Sequence, residues 1–360
     1  MHCASLGEFE QGRPVLEAIR RTYPGHKILL TFFSPSGYEV RKNYAGADFV
    51  FYLPFDTPSN AKRWVETVRP RLALFVKYEF WINYIHELKK NNVPLVSVSA
   101  IFRPSQAFFR WYGGLFRKAL GNFDHIFIQQ GESGALLKSI GVTNFTLAGD
   151  TRFDRVKQIT ANQEEIDIAA RFKGTDRVMV AGSCWPEDIE VLVPMMNENQ
   201  LKFIVAPHEI HEAFLTDIER QLEVRAIRFS QAAQVPNLAE YQVLLIDNIG
   251  MLSRLYRYGE FAYVGGAFGK GLHNILEAAS YGIPIFFGNK SYQKFKEAND
   301  LIMRGGAFEI SDFADLKRQY ELVNMPETFL LACEVTRSYV EENVGATDKI
   351  MGYCSKWLRA

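Results

Sequence analysis

Two carboxylates stand where a strand should hand over to a helix. Glu8, within Ala4-Ser5-Leu6-Gly7-Glu8-Phe9-Glu10-Gln11-Gly12, lies just ahead of the helical spacing Val15, Leu16, Ile19. A small-residue loop at such a junction lets backbone come close to a ligand, and an acid placed there can take a proton from an acceptor hydroxyl. The same acid also favours a helix N-terminus through the helix dipole, and spacing does not choose between the two roles. Glu79, within Lys77-Tyr78-Glu79-Phe80-Trp81, follows the apolar run Leu72 to Val76. Proton chemistry and helix capping are equally open for it.

A second chemistry is anion binding. Gly265-Gly266-Ala267-Phe268-Gly269-Lys270-Gly271-Leu272-His273-Asn274 follows the strand candidate Phe261 to Val264 and precedes a helix expected over Ile275 to Ser280. Glycines allow backbone N–H groups to face a phosphate, and a following helix adds its positive end. No Gly-Lys-Ser/Thr follows, so this is not a P-loop, nor is it a clean dinucleotide fingerprint. Glu277 lies three residues after Asn274, the spacing either of a capping box or of an acid that receives ribose hydroxyls. Ser183-Cys184-Trp185 and Pro207-His208-Glu209 end two further strand candidates and should open into the same crevice. His208, His211, Glu209 and Glu212 imitate a metal cluster but lack a third convergent ligand, so no metal is expected. Between Phe102 and Leu120, Phe108, Phe109, Trp111, Tyr112, Leu115 and Phe116 are mixed with Arg103, Arg110, Arg117 and Lys118. Read as one helix, that stretch suits either a membrane interface or a core stripe with basic flanks.

These groups need a scaffold. Short apolar runs alternate with amphipathic stretches, as in βα units around parallel sheets. Strands are expected near His26–Ser34, Asp48–Pro54, Leu72–Tyr78, Val93–Ala100, His125–Gln130 and Thr146–Gly149. A polar stretch from Asp154 to Asp176 interrupts the pattern, which resumes at Val178–Gly182, Phe203–Ala206, Val243–Ile246, Phe261–Val264 and Ile283–Phe287, with helices from Pro326 onward. The expected fold is α/β, two Rossmann-like doubly wound domains facing across a cleft: residues 1–156, residues 157–345, and a C-terminal helix over 346–360 returning to the first domain. The first strand is expected to be missing, and with it an N-terminal segment that carries a membrane anchor.

At 360 residues the chain suits two domains, and 48% hydrophobic residues supply two cores. Lys+Arg and Asp+Glu both number 41, so the whole chain has no electrostatic reason to seek nucleic acid. Residues 1–150 carry 18 basic against 12 acidic side chains, a net of +6 that favours anionic partners. Four scattered cysteines exclude a zinc knuckle and argue against a disulfide scaffold.

In order along the chain, Ser5-Leu6-Gly7-Glu8, Ser34-Pro35-Ser36-Gly37, Tyr52-Leu53-Pro54-Phe55-Asp56, Glu79-Phe80-Trp81, Gly149-Asp150-Thr151-Arg152-Phe153-Asp154 and Gly265-Gly266 with His273-Asn274-Ile275-Leu276-Glu277 resemble the motifs of the 3-deoxy-D-manno-octulosonic acid (Kdo) transferases. The chain departs from that pattern at Lys77, Ile82, Pro207 and Cys184-Trp185. The resemblance implies a GT-B fold and an inverting transfer of Kdo from CMP-Kdo to a phosphorylated lipid A precursor at the cytoplasmic face of the inner membrane. It implies no metal and no cofactor. Glu8 and Glu79 would be catalytic, with Ser183, His208, Gly265, Gly266, Gly271, His273, Asn274 and Glu277 on the donor. Ser5, Gly7, Ser36 and Arg103 would serve the acceptor. Rival readings are a UDP-sugar transferase or epimerase of the same fold, a non-catalytic nucleotide-sugar-binding module, and a nicotinamide-dependent oxidoreductase.

Overall fold

A computed structural model describes residues 1–77, 80–161, 164–198 and 201–359. The chain forms two compact units, Met1–Arg155 with Asn343–Ala360, and Val156–Glu342.

The first unit is built on β1 (Leu29–Phe32), β2 (Phe49–Tyr52), β3 (Ala73–Val76), β4 (Leu95–Ala100), β5 (His125–Ile128) and β6 (Phe145–Leu147), all paired in parallel. β3 and β4 are buried throughout, as continuous apolar runs in a covered parallel sheet should be. His2 makes isolated parallel bridges to Thr31 of β1 and Phe75 of β3, so Met1–Cys3 runs between those two strands into the first helix. An apolar cavity of about 820 Å³ is lined by Met1, His2, Leu29, Phe49, Trp64, Ala73 and Leu74 among others.

The second unit carries β7 (Val178–Cys184), β8 (Lys202–Pro207), β9 (Ala226–Arg228), β10 (Val243–Leu245), β11 (Phe261–Val264), β12 (Ile285–Gly288) and β13 (Ala307–Ile310). They form one parallel sheet in the order β13-β12-β11-β7-β8-β10-β9. β9 and β13 were not expected from the sequence: one is three residues long and the other half exposed, so neither is a continuous apolar run. β11, β7 and β8 are adjacent at the centre, and all three end on the same edge, where parallel α/β sheets bind ligands.

The stretch from Phe102 to Leu120 is not one helix. A single 3₁₀ turn at Ala107–Phe109 is followed by a helix at Gly114–Leu120. Phe102 and Phe108 enter the core, whereas Trp111, Tyr112 and Leu115 remain exposed.

The last helix, Ala346–Leu358, belongs to the first unit. Asp154 holds its start: its carboxylate accepts from the Gly345 N–H at 2.5 Å, and from the Thr347 N–H and hydroxyl at 2.7 Å each. At the other end His26 meets the Leu358 carbonyl at 2.8 Å. Asp154→Ala removes the acceptor for three donors at a helix start, so it should destabilise the first unit by about 2 kcal/mol in urea unfolding. Faster amide exchange over the last helix is expected to accompany that loss.

Candidate functional site

In the first unit the candidate acid begins as a helix-start device. Ser5 is the N-cap of the helix Leu6–Thr22, and Glu8 Oε2 accepts from the Ser5 N–H at 3.0 Å and from its hydroxyl at 3.4 Å. This is capping-box geometry, and it fixes the carboxylate, only 9% exposed, at the carboxyl edge of the sheet. The Ser34 turn lies against the same loop, because Phe33 and Ser34 both donate N–H to the Ala4 carbonyl, at 3.2 and 2.7 Å. Ser34 then caps the next helix by accepting from the Ser36 N–H at 3.2 Å, and the two hydroxyls meet at 2.9 Å. Ser5, Gly7, Glu8 and Ser36 are thus brought together.

Arg103 sits apart, exposed beyond the end of β4 on the same edge of the sheet, with its N–H given to the Gln106 side chain. Glu79 lies outside the described residues. Two other motif acids hold the fold: Asp56 accepts from the Asn83 and Tyr84 N–H groups at 3.2 Å, and Asp150 is paired with Arg152 at 2.7 Å.

In the second unit the candidate donor residues are gathered by one side chain that sequence reasoning missed. Asp188 is wholly buried, and its carboxylate accepts from the Trp185 N–H at 2.8 Å, the Gly266 N–H at 2.9 Å and the Tyr263 hydroxyl at 2.8 Å. It ties the exit of β7 to the exit of β11. Burial raises its pKa above the ordinary carboxylate value, and the three donors oppose that rise without cancelling it. The tie demands bare backbone. A Cβ on Gly265 would lie 2.4 Å from the Ser183 carbonyl, and one on Gly266, where φ is +92°, would lie 2.4 Å from the Gly271 carbonyl. Ser183 also has a left-handed φ of +55°, at the irregularity where β7 breaks register with β8.

That break lets Trp185 leave the strand toward two histidines. Its indole Nε1–H donates to His273 Nε2 at 3.0 Å. The two ring planes are nearly parallel, 12° apart, with centroids at 6.5 Å. His208 stacks across both, 4.5 Å from the Trp185 ring and 4.4 Å from the His273 ring. Burial first, and the neighbouring His208 second, lower the His273 pKa to about 4, so it is neutral through the physiological range. The Lys270 ammonium lies 5.2 Å from the Trp185 ring centroid.

Two expectations for the glycine loop need correcting. The N–H groups of Gly265, Gly266, Gly269, Gly271, Leu272 and His273 all donate within the protein, so they do not form an open phosphate cradle. The helix that follows is four residues, Leu276–Ala279, too short for a substantial dipole. Positive charge comes instead from lysines: Lys270 is exposed on the loop, and the Lys294 ammonium would lie 3.6 Å from a Cβ placed on Gly271. Asn274 and Glu277 meet side chain to side chain at 3.2 Å, and the Asn274 side chain also accepts from the Leu276 N–H at 3.3 Å. Glu209 pairs with His211 and Glu212 with Arg228. Among the described residues no three His, Cys, Asp or Glu side chains converge as a metal-binding group.

Residues 1–155 match the sequence family described as 3-deoxy-D-manno-octulosonic-acid transferase (kdotransferase). The chain is 30% identical over 324 residues to the 3-deoxy-D-manno-octulosonic acid transferase of Aquifex aeolicus, across 88% of this chain and 83% of that one. Against the enzyme of the same name from Haemophilus influenzae it is 26% identical over 377 residues, across 99% and 86%. A solved putative UDP-N-acetylglucosamine 2-epimerase from Listeria monocytogenes aligns with a TM-score of 0.62 at 12% identity, covering 99% of this chain and 95% of that one. At that identity the likeness shows the fold alone, two Rossmann-like units of the GT-B type.

Asp188→Ala leaves two backbone donors and a phenol without their acceptor in a dry interior. It should destabilise the second unit by about 3 kcal/mol or more in urea unfolding.

Proposed function

The chain belongs to the 3-deoxy-D-manno-octulosonic acid (Kdo) transferase family of glycosyltransferases, and we propose that it moves Kdo from CMP-Kdo to a phosphorylated lipid A precursor, with inversion and without a metal ion. One observation carries the reading. The motif residues described above stand at strand carboxyl ends in both units: Ser5, Glu8 and Ser36 in one, Ser183, His208, Gly265, Gly266 and His273 in the other.

In this reading the second unit holds the donor. As the acceptor hydroxyl oxygen attacks the anomeric carbon of Kdo, the bond from that carbon to the phosphate oxygen breaks, and CMP departs with the bonding pair. Lys270 and Lys294 offset the charge that gathers on the phosphate, a part that a divalent cation plays in other enzymes. Glu8 takes the hydroxyl proton. The bond from the Ser5 N–H holds one carboxylate oxygen and so aims the group, which is the alignment general-base catalysis needs.

The acceptor would be an anionic amphiphile, and the first unit offers a surface for one. Trp111 is 91% exposed, with Tyr112 and Leu115 beside it and Arg103, Arg110 and Lys118 exposed nearby. Aromatic rings among cations suit the boundary of an anionic bilayer. Among the described residues no helix is long and apolar enough to cross a membrane.

The reading is tested by incubating the protein with CMP-Kdo and a lipid A precursor and weighing the products. Added Kdo is expected, unchanged by chelator; a product only when manganese or magnesium is supplied would remove the lysine account of leaving-group stabilisation. Glu8→Gln separates the two roles of that residue, because glutamine keeps the N3 bond of a capping box but cannot take the proton. Its melting temperature should stay near that of the parent while kcat falls about 10² to 10⁴-fold. For the surface, Trp111→Ser with Tyr112→Ser should weaken co-sedimentation with phosphatidylglycerol vesicles about tenfold or more, leaving the affinity for CMP unchanged.

A further inference from the structure

The indole of Trp185 makes a bond that constrains a neighbour. An indole N–H is a donor only, so His273 Nε2, 3.0 Å away, must be the acceptor and carry no proton. A neutral imidazole with a bare Nε2 has its proton on Nδ1. His208 lies across this bond, its ring stacked at 4.5 and 4.4 Å on the two partners. Gly266 backs the same imidazole: a Cβ there would come within 2.9 Å of the His273 ring. His273 is therefore confined by Trp185 at its edge, His208 on its face and the Gly266 backbone behind it. Among the described residues no group accepts from its Nδ1.

We infer that Trp185 is a positioning residue for donor recognition: it locks His273 as the Nδ1–H tautomer, so that His273 presents a neutral hydrogen-bond donor to an anionic oxygen of the sugar-nucleotide. Without the indole, the competing tautomer with hydrogen on Nε2 becomes available, and Nδ1 then turns into an acceptor that repels the same oxygen. A protonated His273 would also have to give up the Trp185 bond. This agrees with a ring that stays neutral down to about pH 4, next to His208 and with the Lys270 ammonium across the indole.

The anionic oxygen as ligand rests on the proposed function, whereas the tautomer does not, and the experiment keeps them apart. Long-range ¹H–¹⁵N spectra of the ligand-free protein, with the His273 signals identified by their loss in His273→Gln, report which ring nitrogen is protonated. The parent should show hydrogen on Nδ1 alone from pH 5 to 8. In Trp185→Phe, which keeps the ring stack but loses the N–H, the Nε2–H form should appear. His208→Leu, which uncovers the bond without removing it, should keep the parent tautomer. In turnover Trp185→Phe should raise KM for CMP-Kdo about tenfold while kcat changes less than about threefold. Hydrogen on Nε2 in the parent, or an identical tautomer in parent and Trp185→Phe, overturns the inference whatever the enzyme's substrate. A locked tautomer with unchanged KM in Trp185→Phe overturns the recognition role alone. A locked tautomer in a protein that binds CMP but never turns over CMP-Kdo leaves the lock standing and removes the proposed function.

Discussion

The second unit depends on one buried acid. Asp188 carries no exposed surface, and among the described residues it pairs with no cation; its carboxylate accepts from three donors drawn from the ends of β7 and β11. Burying a carboxylate with hydrogen bonds but no counter-charge costs free energy, and the raised pKa is the visible sign of that cost. The return is geometric. Two loops from adjacent parallel strands, which would otherwise leave the sheet independently, share one acceptor and so leave it in a fixed relation. Trp185, His208 and His273 can stack only because that relation is fixed, and the glycines at 265 and 266 follow from it, since any side chain there would force the loops apart.

The same economy governs Glu8. Capping and catalysis, rivals on sequence spacing, are compatible in the structure: a carboxylate fixed by the backbone of its own helix start is already aimed, so the conformational freedom a catalytic side chain must lose is lost on folding. Asp56 and Asp154 show how common the purely structural version is. Each caps a helix with two or three bonds, and each sits inside a family motif.

Much of the scaffold was legible in the sequence, because parallel strands covered on both faces must be continuous apolar runs, as at Leu74-Phe75-Val76 and Phe203-Ile204-Val205. What escaped had no such signature. β9 and β13 lie on the outer edges of the sheet and carry mixed residues. The stretch around Trp111 looked like one helix because apolar and basic residues alternate there, whereas its Phe102 and Phe108 turn inward and its Trp111 outward. Asp188 was invisible for another reason. Its partners at Tyr263 and Gly266 lie 75 and 78 positions away, and an acid in the first turn of a helix already has a sufficient local explanation.

The glycine loop shows most clearly what spacing cannot convey. Gly-rich sequence after a strand suggests free amides, but freedom of φ says nothing about where each N–H points. Here the turn closes on itself, with Gly269 and Gly271 both donating to the Gly266 carbonyl. The loop therefore acts less as a cradle than as a tight bracket, which places His273 against Trp185 and leaves Lys270 exposed. Under the proposed function, recognition of the donor's anion would be divided between two kinds of group. Lysines supply charge that is long-ranged, weakly directional and screened by salt, and a neutral imidazole supplies direction without charge. On the proposed reading the lysines would attract any phosphate and the ring stack would orient one, so selectivity would reside in the rings that Asp188 holds in place rather than in the glycines.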